Sequence, residues 1–166
     1  FMKHAAVETV DNVLLDLSQV KQELINFTLL DKSYLKLDEK AGRLFLHASI
    51  YQKPVPVEAL EWIIGDESQP NPSIGDALEL LINWGLIARE RQGDETLYAM
   101  HTLVRDFAKQ MLEKEGLERK KLQVRAAQHY ENQVATTHDL WTLLEARDYY
   151  YQAEEWEKAL DIVMAT

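Results

Sequence analysis

Histidine has the widest chemical range of any residue type in this sequence, because its ring can act as an acid, a base or a metal ligand near neutral pH. The five histidines are His4, His47, His101, His129 and His138. None belongs to a His-Glu-x-x-His pair, the spacing that places two imidazoles on one helix face to bind zinc. The sequence also lacks cysteine, a Gly-x-Ser-x-Gly nucleophile elbow and a Gly-x-x-x-x-Gly-Lys-Ser/Thr phosphate loop. We therefore predict that this chain is not an enzyme, and we assign no catalytic residue and no metal site.

His101 is the histidine whose position suggests a binding role. It lies between a predicted strand and a predicted helix that begins at Thr102. At a helix N-terminus, an imidazole can donate to a phosphate together with the free backbone amides. The alternative is that His101 caps this helix or packs under the preceding strands. His129 and His138 lie on and before predicted helices, where packing or surface roles suffice.

A short hairpin is expected to hold His101 in place. Trp84-Gly85 predicts the end of a helix, because glycine readily adopts the left-handed conformation found there. Across Gln92-Gly93-Asp94, apolar residues alternate with polar ones on both sides, which predicts two paired strands with one buried face. The residues expected on that face are Leu86, Ala88, Leu97 and Ala99. Such a hairpin packed on three short helices forms a winged helix.

Helices are predicted on both sides of the hairpin. The three before it run from Glu39 to about Tyr51 with Asp38 as N-cap, from Val57 to Ile64 between Pro56 and Gly65, and from Ser73 as cap to Asn83. An exposed loop is expected at Gly65 to Pro72. Apolar periodicity also predicts helix from Val7 to Phe27 and from Thr28 to Lys36.

The sequence after Gly93 has a different composition, with a single glycine at Gly116 and no proline. We predict helices at Thr102–Glu115, Leu117–Val134, Asp139–Gln152 and Glu154–Ala165. The last two are similar to a tetratricopeptide-type hairpin, in which small and aromatic residues let two antiparallel helices approach closely. The residues expected to pack in it are Leu144, Ala146, Tyr149 and Tyr150, then Trp156, Ala159 and Leu160.

Charge and hydropathy restrict the partners of the chain. Its formal net charge is -10, which argues against nucleic acid, because phosphate binding gains its affinity from lysine and arginine. No apolar run approaches the roughly 20 residues needed to span a bilayer, and the N-terminus lacks a basic-then-apolar signal pattern. We expect a soluble cytoplasmic protein that does not bind membranes.

Three stretches between Leu29 and Glu115 form a combined pattern that is more specific than any one of them. They are Leu29–Leu46 continued by Pro56–Leu60, then Leu80–Ile87 (Leu-Leu-Ile-Asn-Trp-Gly-Leu-Ile), then Met100–Ala108 (Met-His-Thr-Leu-Val-Arg-Asp-Phe-Ala). Together they resemble the winged-helix region that follows the nucleotide-binding core in the NB-ARC class of STAND signalling ATPases. The third stretch is similar to the family's Met-His-Asp motif, with Thr102 where the family usually has aspartate.

This resemblance implies a role for the whole fragment. In that family the motif's histidine contacts the phosphates of bound ADP, and helical repeats behind the winged helix sense a stimulus. The resemblance thus implies that His101 contacts ADP phosphate in the intact protein, whose cofactors would be ADP and ATP, although this fragment would hold neither. It also implies partners in the same chain, an upstream nucleotide-binding domain before Phe1 and downstream repeats after Thr166. The fragment itself would be a non-catalytic connector that couples nucleotide state to the sensor through protein contacts.

The expected fold class is mainly α and the expected organisation has three parts. They are a helical lead-in at residues 1–27, a winged-helix domain at residues 28–115 and the start of a tetratricopeptide-like region at residues 116–166. The winged helix would contain the hairpin as its small sheet, and helical hairpins would follow it.

DNA binding by a transcriptional regulator is the alternative function, because winged helices often place their third helix in the major groove. Here the third helix, Ser73–Asn83, has two acids and no lysine or arginine. The basic residues Arg89 and Arg91 of the hairpin are offset by Glu90, Asp94 and Glu95. Phosphates would be repelled by such a surface.

Large aromatic residues are concentrated near the C-terminus, namely Trp141, Tyr149, Tyr150, Tyr151 and Trp156. They exceed what one terminal hairpin can cover. One interpretation is an intramolecular core with one face left open by truncation of the chain. The other is a surface for a protein partner or for self-association, because large aromatics are enriched at interfaces.

Overall fold

The computed structural model describes residues 26–65, 72–137 and 139–164. The chain divides into two compact units, Phe1–Leu37 and Asp38–Thr166. In the first unit residues 26–34 are helical, which confirms most of the helix expected from Thr28 to Lys36. The helix expected from Val7 and most of the loop expected after Gly65 lie outside the described residues.

The second unit begins with three helices, α1 (Glu39–Ala48), α2 (Val57–Ile64) and α3 (Gly75–Asn83). The Asp38 carboxylate accepts a hydrogen bond from the Ala41 amide at 2.8 Å, which confirms the predicted N-cap of α1. Pro56 precedes α2 and the amide of Gly65 closes it, as expected. The predicted N-cap of α3 was wrong by one residue: Ile74, not Ser73, occupies the N-cap position, and no side chain caps the helix.

The end of α3 follows the pattern predicted from Trp84-Gly85. Gly85 has a φ of 69°, its amide donates to the carbonyl of Ile82 at 2.9 Å, and the Leu86 amide donates to the carbonyl of Leu81 at 2.9 Å. This is the Schellman arrangement, which satisfies the last carbonyls of a helix and turns the chain away from the axis. The chain therefore leaves α3 directly into the hairpin.

The hairpin, called the wing below, consists of β1 (Ala88–Gln92) and β2 (Glu95–Ala99). The strands are antiparallel, with Gln92 opposite Glu95 and Ala88 opposite Ala99, so Gly93 and Asp94 form a two-residue turn. Gly93 has a φ of 64°, which glycine adopts at little cost in tight hairpin turns. An isolated bridge between Val55 and Tyr98 joins the wing to the segment before α2.

The expected buried face of the wing is only partly present. Leu86, Ile87 and Leu97 are buried, but all five residues of β1 are exposed, including Ala88. The expectation for Ala88 was wrong because Leu86 and Ile87 contribute to the core before β1 starts, and the strand then extends past the helices into solvent.

Four helices follow: α4 (Thr102–Lys114), α5 (Arg119–Thr137), α6 (Leu140–Gln152) and α7 (Trp156–Met164). All four match the predicted helices, with shifts of a few residues at their ends. Asp139 caps α6 by accepting hydrogen bonds from the amides of Trp141 and Thr142. Among the described residues, no helix is both long and apolar enough to cross a membrane.

Two groups of side chains form the interior of this unit. Around α1, α2 and α3 the core is built from large residues, and the ring centroids of Phe45 and Phe107 lie 6.3 Å apart. Between α5, α6 and α7 the buried residues include small ones at the helix contacts, which lets the backbones approach closely: Ala126, Ala127, Ala146, Ala153 and Ala159. The structure therefore confirms a mainly α chain in which a winged helix is followed by helical hairpins.

The packing expected for the last hairpin is confirmed on its inner side and wrong on its outer side. Ala146, Tyr149 and Tyr150 are buried, as is Ala159. Trp156 and Leu160 are instead 53% and 60% exposed. Trp156 meets Tyr151 of α6 edge to face at 4.8 Å, and both residues line an open cleft between the two helices.

Candidate functional site

His101 lies directly after the wing and forms the N-cap of α4. The Leu103 amide donates to its Nδ1 at 3.3 Å, and the ring is exposed. Since Nδ1 accepts this bond, the neutral ring carries its proton on Nε2 and can donate through that atom. The capping interpretation is thus confirmed, packing under the wing is not observed, and the same geometry leaves a donor for a ligand oxygen.

Arg105 lies one turn after His101 on α4, and the sequence interpretation gave it no role. Its Nη1 donates to the carbonyl of Gln52 at 2.7 Å, and its Nη2 lies 3.4 Å from the hydroxyl of Thr102. Thr102 stands where the NB-ARC class usually has aspartate, and its hydroxyl here accepts a hydrogen bond from Arg105. Arg105 therefore fastens α4 to the segment that follows α1. Nη1 also donates to the Tyr51 carbonyl at 3.4 Å. No local signal could have shown this, because Tyr51 and Gln52 are over fifty positions away in the sequence.

Lys109 lies one turn after Arg105 on the same face of α4, and Arg119 is the first residue of α5. Lys109 is half-buried, and burial together with the nearby charges of Arg119 and Arg105 lowers its pKa. Asp106 acts in the opposite direction but more weakly. Nη1 of Arg119 lies 3.7 Å from a carboxylate oxygen of Glu113, so this cation is paired within α4 and α5.

The exposed surface of α3 and the wing carries more acids than bases, with only Arg89 and Arg91 as cations. Asp76 and Glu79 are exposed on α3, and Glu79 forms an ion pair with Arg89 of β1. The Arg89 guanidinium also lies 6.0 Å from the ring centroid of Tyr98. The basic residue that would approach a DNA phosphate is thus already paired with a carboxylate of the third helix.

A set of residues, all buried or half-buried except the exposed Gln52, joins the winged helix to the helical hairpins and is called the seam below. In its first part, Trp62 Nε1 of α2 donates to the Arg125 carbonyl of α5 at 2.9 Å, and Arg125 Nε donates to the Trp62 carbonyl at 2.8 Å. The guanidinium lies 5.6 Å from the Trp62 ring centroid. The seam comprises Tyr51, Gln52, Trp62, Arg125, Tyr130 and Tyr149.

The second part of the seam is a group of tyrosines. Tyr51 meets Tyr149 of α6 edge to face at 6.0 Å, and Tyr130 of α5 stacks on Tyr149 at 5.6 Å. The Tyr51 hydroxyl donates to the Ala59 carbonyl at 3.0 Å, and the Tyr149 hydroxyl accepts from the Gln52 amide at 3.4 Å. Burial raises the pKa of Tyr149 to about 12. These rings therefore stay neutral and fill the junction as packing groups with polar ends.

The outer side of α6 and α7 forms an open apolar cleft of about 580 Å³, whose lining includes Tyr151, Trp156 and Leu160. Trp141 and Met164 near it along the chain are 75% and 79% exposed. The expected excess of aromatic surface at the C-terminus is therefore present, with Tyr149 and Tyr150 inside and the others outside.

No cluster of three or more histidine and acidic side chains that could hold a metal ion occurs within the described part of the chain.

Comparison with known proteins supports the fold assignment. The family model of the winged helix-turn-helix domain matches residues 37–113. A solved structure from Pyrococcus horikoshii, a Signal Transduction ATPase with Numerous Domains (STAND) protein with a tetratricopeptide repeat sensor, superposes with a TM-score of 0.62. The sequences are 22% identical, and the match covers 84% of this chain but 19% of that protein. No curated protein matches significantly.

At that level of identity the superposition establishes the fold. The matched range begins beside Asp38, the N-cap of α1, and ends in α4, so it includes the three helices and the wing. Residues 37–113 therefore form a winged helix-turn-helix domain, and helical hairpins follow it in the chain.

Proposed function

We propose that this chain is a non-catalytic regulatory and connecting segment of a STAND-type, NB-ARC-like signal-transduction ATPase. In this proposal a nucleotide-binding domain elsewhere in the longer protein holds ADP or ATP, and His101 contacts its phosphates. Helical repeats sense the stimulus, and the segment couples the two through protein contacts in the cytoplasm. The likeness to the STAND structure with its repeat sensor supports this assignment.

The observation that carries the proposal is the seam. It joins α2 of the winged helix to α5 by reciprocal hydrogen bonds, and Tyr51, which follows α1, meets Tyr149 of α6 edge to face. Asp38–Thr166 forms one compact unit. A displacement of the helical hairpins would therefore carry α4 and its N-cap His101 with it. Rigid coupling of this kind transmits a signal without chemistry of its own.

Retention of ADP by the intact protein tests the proposal. We expect His101→Ala to release ADP that the unaltered protein retains through purification, because the donor to the phosphate is lost. Gln110→Ala changes an exposed residue on the same helix and is expected to leave retention unchanged. Equal ADP content in the two variants would contradict the role of His101.

The apolar cleft on α6 and α7 supports the part of the proposal that concerns protein contacts. Its exposed rings suit the packing of further helices from the downstream repeats of the same chain. Self-association or a separate protein partner is the alternative occupant. Light scattering across a concentration series tests for self-association, because the average molar mass of a dimerising chain would rise with concentration.

DNA binding is the second candidate function, favoured by the winged helix-turn-helix match itself. The acids of α3 and the pairing of Arg89 with Glu79 weigh against it on electrostatic grounds. A fluorescence-anisotropy titration with duplex DNA at low salt tests it directly. Tight, sequence-selective binding would establish DNA recognition, and its absence would favour the connector.

A further inference from the structure

We propose that the open edge of β1 is a docking site for an extended segment of a separate protein partner, which adds to the wing as a further strand. The segment has an acidic, a basic and an acidic residue opposite Arg91, Glu90 and Arg89, respectively. This site uses the backbone of the wing and does not depend on the nucleotide role of His101. Either role can therefore fail while the other stands.

The hydrogen bonds of β2 show how the backbone of β1 is oriented. The Val55 amide donates to the Tyr98 carbonyl at 2.9 Å, and the Tyr98 amide donates to the Val55 carbonyl at 2.7 Å. The N–H and C=O of Tyr98 therefore point away from β1. In an antiparallel pair, the residue directly opposite such a position also directs its N–H and C=O away from the partner strand. That residue is Arg89, whose backbone groups therefore face the open edge.

Arg91 has the same orientation, because strand residues two positions apart direct their backbone groups to the same side. All five residues of β1 are exposed. Within the described part of the chain, no backbone group outside the hairpin bonds to Arg89 or Arg91. Two donors and two acceptors are thus available with the spacing that an added strand requires. The chain itself uses this geometry at the opposite edge of the wing, where Val55 pairs with Tyr98.

The side chains of β1 determine which strand can add. Arg91 and Glu90 form no ion pair with any side chain that the structure describes, whereas Arg89 pairs with Glu79. Directly opposed side chains in neighbouring strands are close enough to interact, so opposite charges stabilise the pair and like charges destabilise it. An added strand with acid, base and acid in order therefore matches β1, and its first two charges meet unpaired partners.

A second copy of β1 does not meet this requirement. If two copies paired antiparallel over the whole open edge, Arg89 would lie opposite Arg91 of the second copy, and Glu90 would lie opposite Glu90. Every directly opposed pair would then have like charge, which destabilises the pairing. Charged residues on an edge strand commonly prevent such self-pairing. The charge order therefore favours a different chain with the complementary order.

Titration with a synthetic peptide tests the site. The probe is fluorescein-labelled, end-capped Thr-Val-Glu-Lys-Glu-Val-Thr, whose threonines and valines favour an extended conformation. The matched control is Thr-Val-Lys-Glu-Lys-Val-Thr, in which each charge is reversed. Fluorescence anisotropy at low salt should show saturable binding of the probe, about tenfold tighter than that of the control, because three opposed pairs change sign.

The overall charge of the chain makes this comparison strict. A net charge of -10 attracts the cationic control more than the anionic probe. A preference for the probe therefore identifies the local charge order of β1. Absence of saturable probe binding, or equal affinity of the two peptides, would overturn the proposal.

Amide hydrogen exchange tests where the peptide binds. The amides of Arg89 and Arg91 should exchange rapidly in the free chain and slow about tenfold or more with saturating probe. The Glu90 amide faces β2 and should already be protected without the peptide. Binding without slower exchange at Arg89 and Arg91 would contradict strand addition at this edge.

Two substitutions at Arg91 separate the backbone from the side chain. Arg91→Pro removes an N–H that points outward, a position at which edge strands accept proline, and should abolish probe binding. Arg91→Glu keeps the N–H and should shift the ratio of the two peptide affinities about fivefold toward the control peptide. Urea unfolding of each variant shows whether the fold is retained. If proline disrupts the wing, Arg91→Glu still tests the charge order.

Three results of these variants would overturn the proposal. The first is unchanged probe binding by a folded Arg91→Pro variant, and the second is an unchanged ratio of affinities in Arg91→Glu. The third is a dimer, detected by light scattering, that Arg91→Pro abolishes. Such a dimer would show that a second copy occupies the edge.

Discussion

The seam joins α2 to α5 through reciprocal hydrogen bonds and joins Tyr51, after α1, to α6 through packed rings. The wing meets the rest of its unit mainly through β2. Trp62 and Arg125 each donate to the other's carbonyl. All of β1 is exposed, and the wing is attached through the Val55 bridge and the Arg89–Glu79 ion pair. At the seam, the residues that form hydrogen bonds are also packed against apolar side chains. In the wing, the hydrogen-bonded residues of β1 are exposed. The difference indicates that the seam moves as part of the core and that the wing can open locally.

Removing a seam ring should have the largest effect on stability. We expect Trp62→Ala to lower the free energy of unfolding by about 3 kcal/mol, because it removes both a large packed ring and one of the reciprocal hydrogen bonds. Trp156→Ala is the control, since that ring is 53% exposed, and we expect it to cost less than about 1 kcal/mol. Urea unfolding measures both. Similar losses for the two tryptophans would show that the seam is no more stabilising than the outer cleft.

Acid should weaken the packing around α2, which includes the seam residue Trp62, before it affects the wing. Burial lowers the pKa of His47, whose Nδ1 lies 3.1 Å from the Ile63 carbonyl, and of His129, whose ring lies 5.9 Å from that of Trp62. The contact with the Ile63 carbonyl opposes the shift at His47, and the charges of Arg43 and Arg125 add to it. Glu58 opposes the shift at His129. The unfolded chain, with histidine pKa near 6.5, therefore binds protons that the folded chain does not.

This difference gives the sign of the pH dependence. The stabilisation is fully present above about pH 6.5 and is lost as the pH falls toward the lowered folded pKa values. Thermal unfolding between pH 7.5 and 5 measures it, with a loss smaller than that of Trp62→Ala. His129→Gln should flatten the pH dependence. An unchanged slope in that variant would contradict a contribution from this residue.

A matched pair of glycines compares the core with the wing directly. Gly85 ends α3 with a φ of 69°, Gly93 turns the wing with a φ of 64°, and neither has an atom within 4 Å of a built Cβ. Alanine at either position therefore adds backbone strain of about 1–2 kcal/mol without a clash. We expect Gly85→Ala to lower global stability by that amount. Gly93→Ala should mainly increase amide exchange in β1 and β2, with a smaller global effect.

Equal loss of global stability in the two glycine variants would show that the wing unfolds together with the core. Amide hydrogen exchange measured residue by residue distinguishes the two cases.

The ion pair between the wing and α3 should have the smallest effect. Both partners of the Arg89–Glu79 pair are about half exposed, so water screens their attraction. We expect Arg89→Ala to leave the urea midpoint of unfolding almost unchanged. Arg91→Ala, at another exposed position of β1, is the control. A clear fall of the midpoint in Arg89→Ala alone would mean that the wing is more firmly attached than its exposure indicates.

The sequence predicted the features that depend on neighbouring residues. Asp38 as a cap, the helix end at Gly85 and the turn at Gly93 each follow from local backbone chemistry, and all three are observed. Ser73 had the right chemistry for a cap, but α3 begins later and does not use its hydroxyl. Local patterns therefore predict the order of elements well and their ends less well.

Features that depend on distant residues could not be predicted. Trp62 and Arg125 are 63 positions apart, and no periodicity relates them. Arg105 fastens carbonyls more than fifty residues earlier for the same reason. Whether Trp156 and Leu160 are buried or exposed also depends on how α7 is rotated against α6. The spacing of apolar residues alone does not define this rotation. The winged helix was therefore predictable, whereas its connection to the helical hairpins required the structure.

The cap formed by His101 has a consequence for substitutions at that residue. The ring uses Nδ1 to accept from the Leu103 amide, so a ligand oxygen can be reached through the opposite nitrogen. Asparagine places a polar atom near the position of Nδ1, and glutamine places one near that of Nε2. His101→Asn would preserve the start of α4 while removing the outward donor, and His101→Gln would do the reverse. The imidazole thus has two roles that can be separated, and comparing the Asn and Gln variants shows which role a measured effect depends on.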